Sequence, residues 1–277
     1  MPGILNRGWP KKAMLRDNPF QHEMKLIILG SGTAIPLADR ASPCLALTVE
    51  GSLLLLDMGP GSLRQMTTAG LDHKKIERIF ITHFHPDHTA DLIHFLFATK
   101  NPSILEKRSP FTVTGPAGLR GLMEAIQEVY HPWLDLPPEL MKVEELNSGA
   151  RIERDYGNFR LSARKTEHTP QSLAYRLESR QGKSLVYSGD TGLCKGIMEI
   201  AREADLLVLE CSFPDGQGVE GHLTPSEAGL IAREARARRL LLTHFYPECL
   251  RTDIMAQCRK AYRGEIILGR DFLEVTV

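Results

Sequence analysis

Residues Ile81 to His88 read ITHFHPDH, three histidines and an aspartate crowded behind an apolar strand. Side chains alternate along an extended backbone, so His83 and His85, at i and i+2, point the same way. Pro86 then turns the chain. Asp87 and His88 follow from that turn, just before TADLIHFLFAT, which has helical periodicity. Imidazole and carboxylate suit zinc and similar divalent ions, and ordinary solvated loops seldom reproduce H-x-H-x-D-H after a buried strand. A cluster aimed in two directions requires further ligands, so the fold has to bring distant segments back to this strand end. Candidates stand at other strand ends: His168 in TEHTP, Asp190 in YSGDTG and His244 in LLTHFY. Each is weak singly, because a lone histidine at a strand end is usually just hydrogen-bonded. Together with H-x-H-x-D-H they carry weight.

The rest of the chain supplies such a fold. From Met24 onward short apolar runs alternate with amphipathic stretches. The patterning predicts strands at KLIILG, CLALTVE, SLLLLDM, RIFITH, FTVTG, FRLSAR, LAYRLES, SLVYSG, DLLVLE, RLLLTH, EIILG and FLEVTV. It predicts helices over Ser62 to Ala69, Thr89 to Thr99, Ala117 to Tyr130, Cys194 to Ala204 and Pro225 to Ala237. Sheets covered by helices, an α/β class, accommodate that mixture. The chain has 277 residues, 42% of them hydrophobic, enough for one large domain over 24–277. Residues 1–23 lack either periodicity and read as an irregular leader: a peripheral arm, or a segment preceding the natural start at Met24. RIFITHF (Arg78 to Phe84) matches RLLLTHF (Arg239 to Phe245), and SLLLLDMG is echoed more loosely by SLVYSGDTG. The echo suggests two related halves facing each other.

Other readings fall away. Thirty-four basic residues balance thirty-four acidic ones, so no bulk field draws the molecule to nucleic acid or an anionic membrane. The five scattered cysteines form no C-x-x-C pair and follow no secretory leader, which points to reduced thiols in cytoplasm. The apolar run LLLLDMG meets an aspartate after four leucines, too soon for a membrane span. In LGSGTAI, Ile35 occupies the third glycine position of a dinucleotide fingerprint and Pro36 spoils the helix start. REARARR (Arg233 to Arg239) reads as the wet face of a helix, and His94, Tyr130, His131 and Trp133 as packing or rim residues.

The ordered set LGSGTAIP, LLLLDMGPG, FITHFHPDH, TEHT, VYSGDTG, LECSF, GHLTPSEAG, LLTHFY and FLEV resembles the metallo-β-lactamase superfamily, and within it the ribonuclease Z-like branch of phosphodiesterases. The resemblance runs from Met24 to Val277. It implies a four-layer αββα sandwich with a metal site along one edge of the facing sheets. It also implies a first metal on His83, His85 and His168, a second on Asp87, His88 and His244, and Asp190 bridging. Zinc is the expected ion, with manganese or iron as alternatives. Two cations about 3.5–4 Å apart lower the pKa of a shared water and polarise the attacked group, and Asp87 would orient that water. Asp57 matches the family's aspartate that accepts a hydrogen bond from a ligand histidine; forming the turn before Met-Gly-Pro-Gly is its alternative role. Glu210 and His222 match a pair at the leaving oxygen, the histidine donating a proton. GHLTPSEAG also reads as a helix entry with Thr224 as cap and Glu227 completing a capping box, which is compatible with holding His222 still.

Substrate size is the remaining sequence-level question. Ribonuclease Z enzymes that trim tRNA precursors carry a basic arm between the strands corresponding to LAYRLES and SLVYSGD, where this chain has RQGK. The early loop departs as well, with Ala38 and Ala41 where tRNA-processing relatives commonly have Lys and Asn. Without the arm's polyanion contact, the expected substrate is a small or nucleotide-like phosphodiester or another small anionic ester. RNA cleavage as a tRNA 3′-endonuclease is the runner-up, then thioester or lactone hydrolysis. No membrane partner is expected, and the oligomeric state stays open between monomer and homodimer.

Overall fold

Strands that are apolar on both faces need cover on both sides. The computed structural model, which describes residues 24–147 and 152–277, supplies it in four layers; the leader 1–23 lies outside the described residues. One sheet contains β1 (Lys25–Gly30), β2 (Cys44–Val49), β3 (Ser52–Leu56), β4 (Ile76–Phe80), β5 (Phe111–Pro116), β6 (Met141–Leu146) and β14 (Glu274–Thr276), in the order β14-β1-β2-β3-β4-β5-β6. The other contains β7 (Ile152–Asp155), β8 (Phe159–Lys165), β9 (Leu173–Ser179), β10 (Ser184–Tyr187), β11 (Leu206–Glu210), β12 (Arg239–Thr243) and β13 (Glu265–Leu268), in the order β13-β12-β11-β10-β9-β8-β7. The inner faces meet in a core that includes Leu26, Leu54, Phe80, Tyr175, Tyr187 and Val208. On the outer face of the first sheet pack α1 (Ser62–Thr68), α3 (Asp91–Thr99) and α5 (Leu119–Val129). The second sheet is covered by α6 (Lys195–Ile200), α7 (Pro225–Glu234) and α9 (Ile254–Arg259). The short helices α2 (Pro86–Thr89), α4 (Pro102–Leu105) and α8 (Pro247–Leu250) lie in the connections.

The two sheets repeat one plan. In each, three antiparallel pairings are followed by three parallel ones, with β3 changing from antiparallel to parallel partners in the first and β10 in the second. SLLLLDMG and SLVYSGDTG therefore occupy equivalent strands, as their likeness suggests. The closer match, RIFITHF with RLLLTHF, does not: the counterpart of β4 is β11, and RLLLTHF lies on β12, one strand farther out. Its likeness reflects two buried parallel strands that both end at the same edge of the molecule.

Parallel strands in sequence deliver their C-terminal ends to one edge, where loops are free to carry function. The ends of β3, β4, β10, β11 and β12 all arrive there. The close approach of the two halves depends on small residues. Gly189 adopts φ +57, and a Cβ there would sit 2.6 Å from Cβ of Thr82. Within the first half, a Cβ at Gly59 would come within 2.0 Å of the Asp87 carbonyl oxygen, so the loops after β3 and β4 also need a glycine to pack this closely.

Candidate active site

His83 leaves the end of β4 with its ring fully buried, and its Nδ1 lies 3.0 Å from the Thr82 hydroxyl. Among the described residues its Nε2 has no hydrogen-bond partner although it is buried. The same holds for Oδ1 of Asp190, which follows β10. Orphaned buried polar atoms are uncommon and call for a specific reason. Here both point into a shared cluster. Ligand-type atoms of His83, His85, His168 and Asp190 lie within 4.8 Å of one another, as do those of Asp87, His88 and His244. His168 Nε2 is 3.1 Å from His85 Nδ1, and Asp190 Oδ2 is 3.7 Å from His168 Nε2 and 3.9 Å from His83 Nε2. On the other side Asp190 Oδ1 is 3.3 Å from Nε2 of both His88 and His244, which are themselves 3.3 Å apart; Asp87 Oδ2 is 3.7 and 3.6 Å from those two nitrogens. Donors around one tetrahedral zinc at about 2.0–2.1 Å stand about 3.3 Å from each other. The separations given, 3.1–3.9 Å, lie close to that spacing, and Asp190 presents one oxygen to each group. The donor set therefore fits two divalent ions.

Each histidine is held by its other nitrogen or by its backbone. His168 Nδ1 lies 3.0 Å from the Gly221 carbonyl, and His88 Nδ1 is 2.8 Å from Asp57 Oδ2. Asp57 is completely buried and also accepts from Thr82 N–H at 2.8 Å and from the Tyr187 hydroxyl at 2.8 Å. Its backbone lies at φ +60, so this one residue makes the turn as well as the histidine contact. His244 adopts φ +58, uncommon for a side chain of this size, with Nδ1 fixed 3.0 Å from the Ser212 hydroxyl.

Electrostatics follow from this crowding. Burial, then the neighbouring His88, holds the His83 imidazole far below the usual histidine range, so it is neutral and ready to ligate. Burial also lowers His168. For His88 burial opposes the charge, but Asp190 and Asp57 outweigh it and the pKa rises. Burial would raise Asp190 and Asp87; the facing imidazoles reverse that, and both carboxyls stay ionised below the ordinary range.

Beside this cluster, His222 Nδ1 lies 2.9 Å from Glu210 Oε1, at the end of β11. The Ser212 hydroxyl donates to Glu210 Oε2 at 2.6 Å. Glu210 accepts from Thr191 N–H as well, at 3.0 Å. Burial would lower His222, but its hydrogen bond and charge contact with Glu210, aided by Asp190, raise it instead. His222 stays fixed because Thr224 and Glu227 form the expected capping box at the start of α7.

The structure thus brings His83, His85, Asp87, His88, His168, Asp190 and His244 together, with Asp57, Glu210 and His222 around them. Ser212, Tyr187 and Thr82 were not foreseen. A tyrosine inside a buried strand needs an acceptor for its hydroxyl, so Tyr187 carried a signal; Ser212 had only its place two residues after Glu210. His94, Tyr130 and Trp133 line an apolar cavity of about 520 Å³ on the solvent side of α3, and His131 pairs with Asp135 at 2.9 Å. None of these four belongs to the ligand cluster. A cavity of about 820 Å³ lies over the outer face of β8 and β9, where Arg176 pairs with Glu178 at 2.8 Å and Arg164 with Glu199 at 3.8 Å. In REARARR, Arg233 and Arg238 pair with Glu234 and Asp205.

A family model described as a beta-lactamase superfamily domain matches residues 53–245, from β3 through the residue after His244. The chain belongs to this superfamily. Within it the chain is ribonuclease Z-like. A Ribonuclease Z from Methanothermobacter thermautotrophicus is 27% identical over 305 aligned positions, covering 92% of this chain and 97% of the relative. One from Methanosarcina mazei is 28% identical over 310 positions, covering 92% and 98%. Both alignments contain more positions than this chain has residues, so these relatives carry segments it lacks. Among solved structures, the short form of human tRNase Z superposes with TM-score 0.75 at 27% identity, over 91% of this chain and 98% of that one. The metallo-beta-lactamase fold protein YhfI from Bacillus subtilis gives 0.79 at 23% identity over 92% and 100%, a likeness of fold. The superfamily's αββα architecture is the one described above. Among the described residues no helix is long and apolar enough to cross a membrane.

Proposed function

We propose that the protein is a metal-dependent phosphodiesterase acting on a small or nucleotide-like phosphodiester. The observation that carries this reading is the Glu210–His222 pair, 2.9 Å long, set beside a seven-residue ligand cluster. Hydrolysis of an unactivated diester needs a proton for its departing alkoxide, and His222 is a histidine whose pKa its surroundings raise. His83, His85 and His168 would hold one ion and Asp87, His88 and His244 the other, with Asp190 between; the histidine-rich donor set favours zinc over manganese or iron. Two such ions supply an activated water at neutral pH and neutralise an anionic group. Asp87 turns an oxygen towards the attacking side, Asp57 fixes the tautomer of His88, and His222 holds its proton towards the leaving side while Glu210 keeps the ring in place.

Substrate size follows from the connection between β9 and β10. Arg180, Gln181, Gly182 and Lys183 make a tight turn there, with Gly182 at φ +83 and its N–H bonded to Ser179 O at 3.0 Å. The turn leaves no arm to grip a tRNA, which supports a small substrate. The relatives named Ribonuclease Z favour the second reading, cleavage of precursor tRNA. Residues 24–277 act as one domain in this account, and the five free cysteines, four of them buried, fit a reducing cytoplasm. Turnover of bis(p-nitrophenyl) phosphate, alkyl phosphodiesters, thioesters, lactones and precursor tRNA by zinc-loaded protein tests the proposal. Diester turnover with slow or no tRNA cleavage is expected. Efficient tRNA cleavage, or thioester turnover in place of diester turnover, would contradict it.

A further inference from the structure

Six tyrosines occur in this chain. Four place the hydroxyl on an acceptor: Tyr156 on Glu144 at 2.9 Å, Tyr175 on Ile81 O at 2.6 Å, Tyr187 on Asp57 at 2.8 Å and Tyr262 on Ala237 O at 2.7 Å. Tyr130 lies on the exposed surface. Tyr246 is different. It is half-buried, two residues after His244, and among the described residues its hydroxyl has no hydrogen-bond partner.

The ring itself is well held. It stacks on Phe213 with centroids 4.7 Å apart and planes 18° from parallel. It meets His244 at 5.9 Å and 70°, and His222 at 6.3 Å and 75°. The Tyr246 N–H bonds to Ser212 O at 3.3 Å, and Pro247 then opens α8. A ring fixed on three sides beside the ligand cluster, whose one polar atom is unused among the described residues, is pre-organised to meet something that arrives from outside. His222 is in a similar position: its Nδ1 is taken by Glu210 and Ser212, and no described group bonds its Nε2.

We propose that Tyr246 is a substrate contact, its phenol donating a hydrogen bond to a non-bridging phosphoryl oxygen on the His222 side of the site. The inference rests on the phosphodiesterase reading and extends it. Ions held by the two ligand groups would neutralise one side of a bound phosphoryl group, and His222 would face the leaving oxygen; a neutral donor beside them adds orientation without another charge.

Tyr246→Phe keeps the stack on Phe213 and the packing against both histidines while removing the donor. The test uses the full-length, zinc-loaded protein, with inorganic phosphate binding by calorimetry and kcat and KM for an aryl and an alkyl phosphodiester. A hydrogen bond to an anion sets the expected scale: phosphate affinity and kcat/KM for both diesters fall about tenfold to a hundredfold, with metal content and Tm unchanged. Tyr246→Ala should lower Tm as well, since it also removes the stack. A Phe variant that binds phosphate and turns over both diesters like the parent would overturn the assignment, as would a parent that binds no phosphate. A parent that binds phosphate but cleaves no diester sinks the phosphodiesterase reading alone, and the phosphate comparison then still decides the role of Tyr246.

Discussion

Two buried carboxylates each hold a histidine by Nδ1, at almost the same distance: Asp57 and His88 at 2.8 Å, Glu210 and His222 at 2.9 Å. Each carboxylate terminates or directly follows a core strand, and in both pairs the acid contributes to raising the imidazole pKa. What separates them is the far nitrogen. His88, with its side chain 1% exposed, turns Nε2 towards Asp190 and His244 at 3.3 Å, whereas the His222 side chain is 12% exposed and its Nε2 is unclaimed among the described residues. On the phosphodiesterase reading the same local device serves two purposes. Facing other ligand-type atoms, it would orient a metal-binding nitrogen. At the more exposed position of His222, it would keep a proton ready.

Substitutions can break or sharpen that contrast. Asp190→Ala removes the carboxylate that both ligand groups share. We expect loss of both metals by elemental analysis and diester turnover reduced by about a thousandfold or more, to the level of the metal-free protein. His222→Ala should retain both metals and lose about a hundredfold in kcat on alkyl diesters, the usual scale for a general acid, with far less effect on p-nitrophenyl esters that leave without help. If that variant lost metal instead, the two pairs would not differ in kind.

Asp57→Ala should do the reverse, weakening zinc binding about tenfold to a hundredfold in a chelator competition. It also strands the Thr82, His88 and Tyr187 donors, so we expect a loss of about 3 kcal/mol of folding stability in a denaturant titration. The smallest effect belongs to pH. His222 has a raised pKa, so it keeps its proton above the ordinary histidine range, and alkyl-diester turnover should fall only as pH rises through that raised value. Glu210→Gln takes away the charge responsible. The falling limb should then move to lower pH in a rate profile while metal content stays constant.

How much of this was legible in the sequence depends on burial. The interior strands were readable because both faces are apolar. β6 and β7 were missed, and each lies at the edge of its sheet; MKVEEL and IERD are charged there because an edge strand is half in water. The helix expected over Thr89 to Thr99 starts earlier, at Pro86, and is interrupted at Ala90. The ligands were legible because H-x-H-x-D-H is dense and the others stand at strand ends. Ser212 was not, since a serine contacting Glu210, His222 and His244 has no periodicity or spacing of its own. Tyr246 shared that difficulty: only the placed ring of Phe213 makes its free hydroxyl conspicuous.

The most direct measurement is anomalous diffraction at the zinc edge from crystals of the metal-loaded protein. The account predicts two peaks flanking the Asp190 carboxylate, one among His83, His85 and His168 and the other among Asp87, His88 and His244. A lone peak elsewhere, or two peaks with His168 or His244 turned away from them, would contradict it.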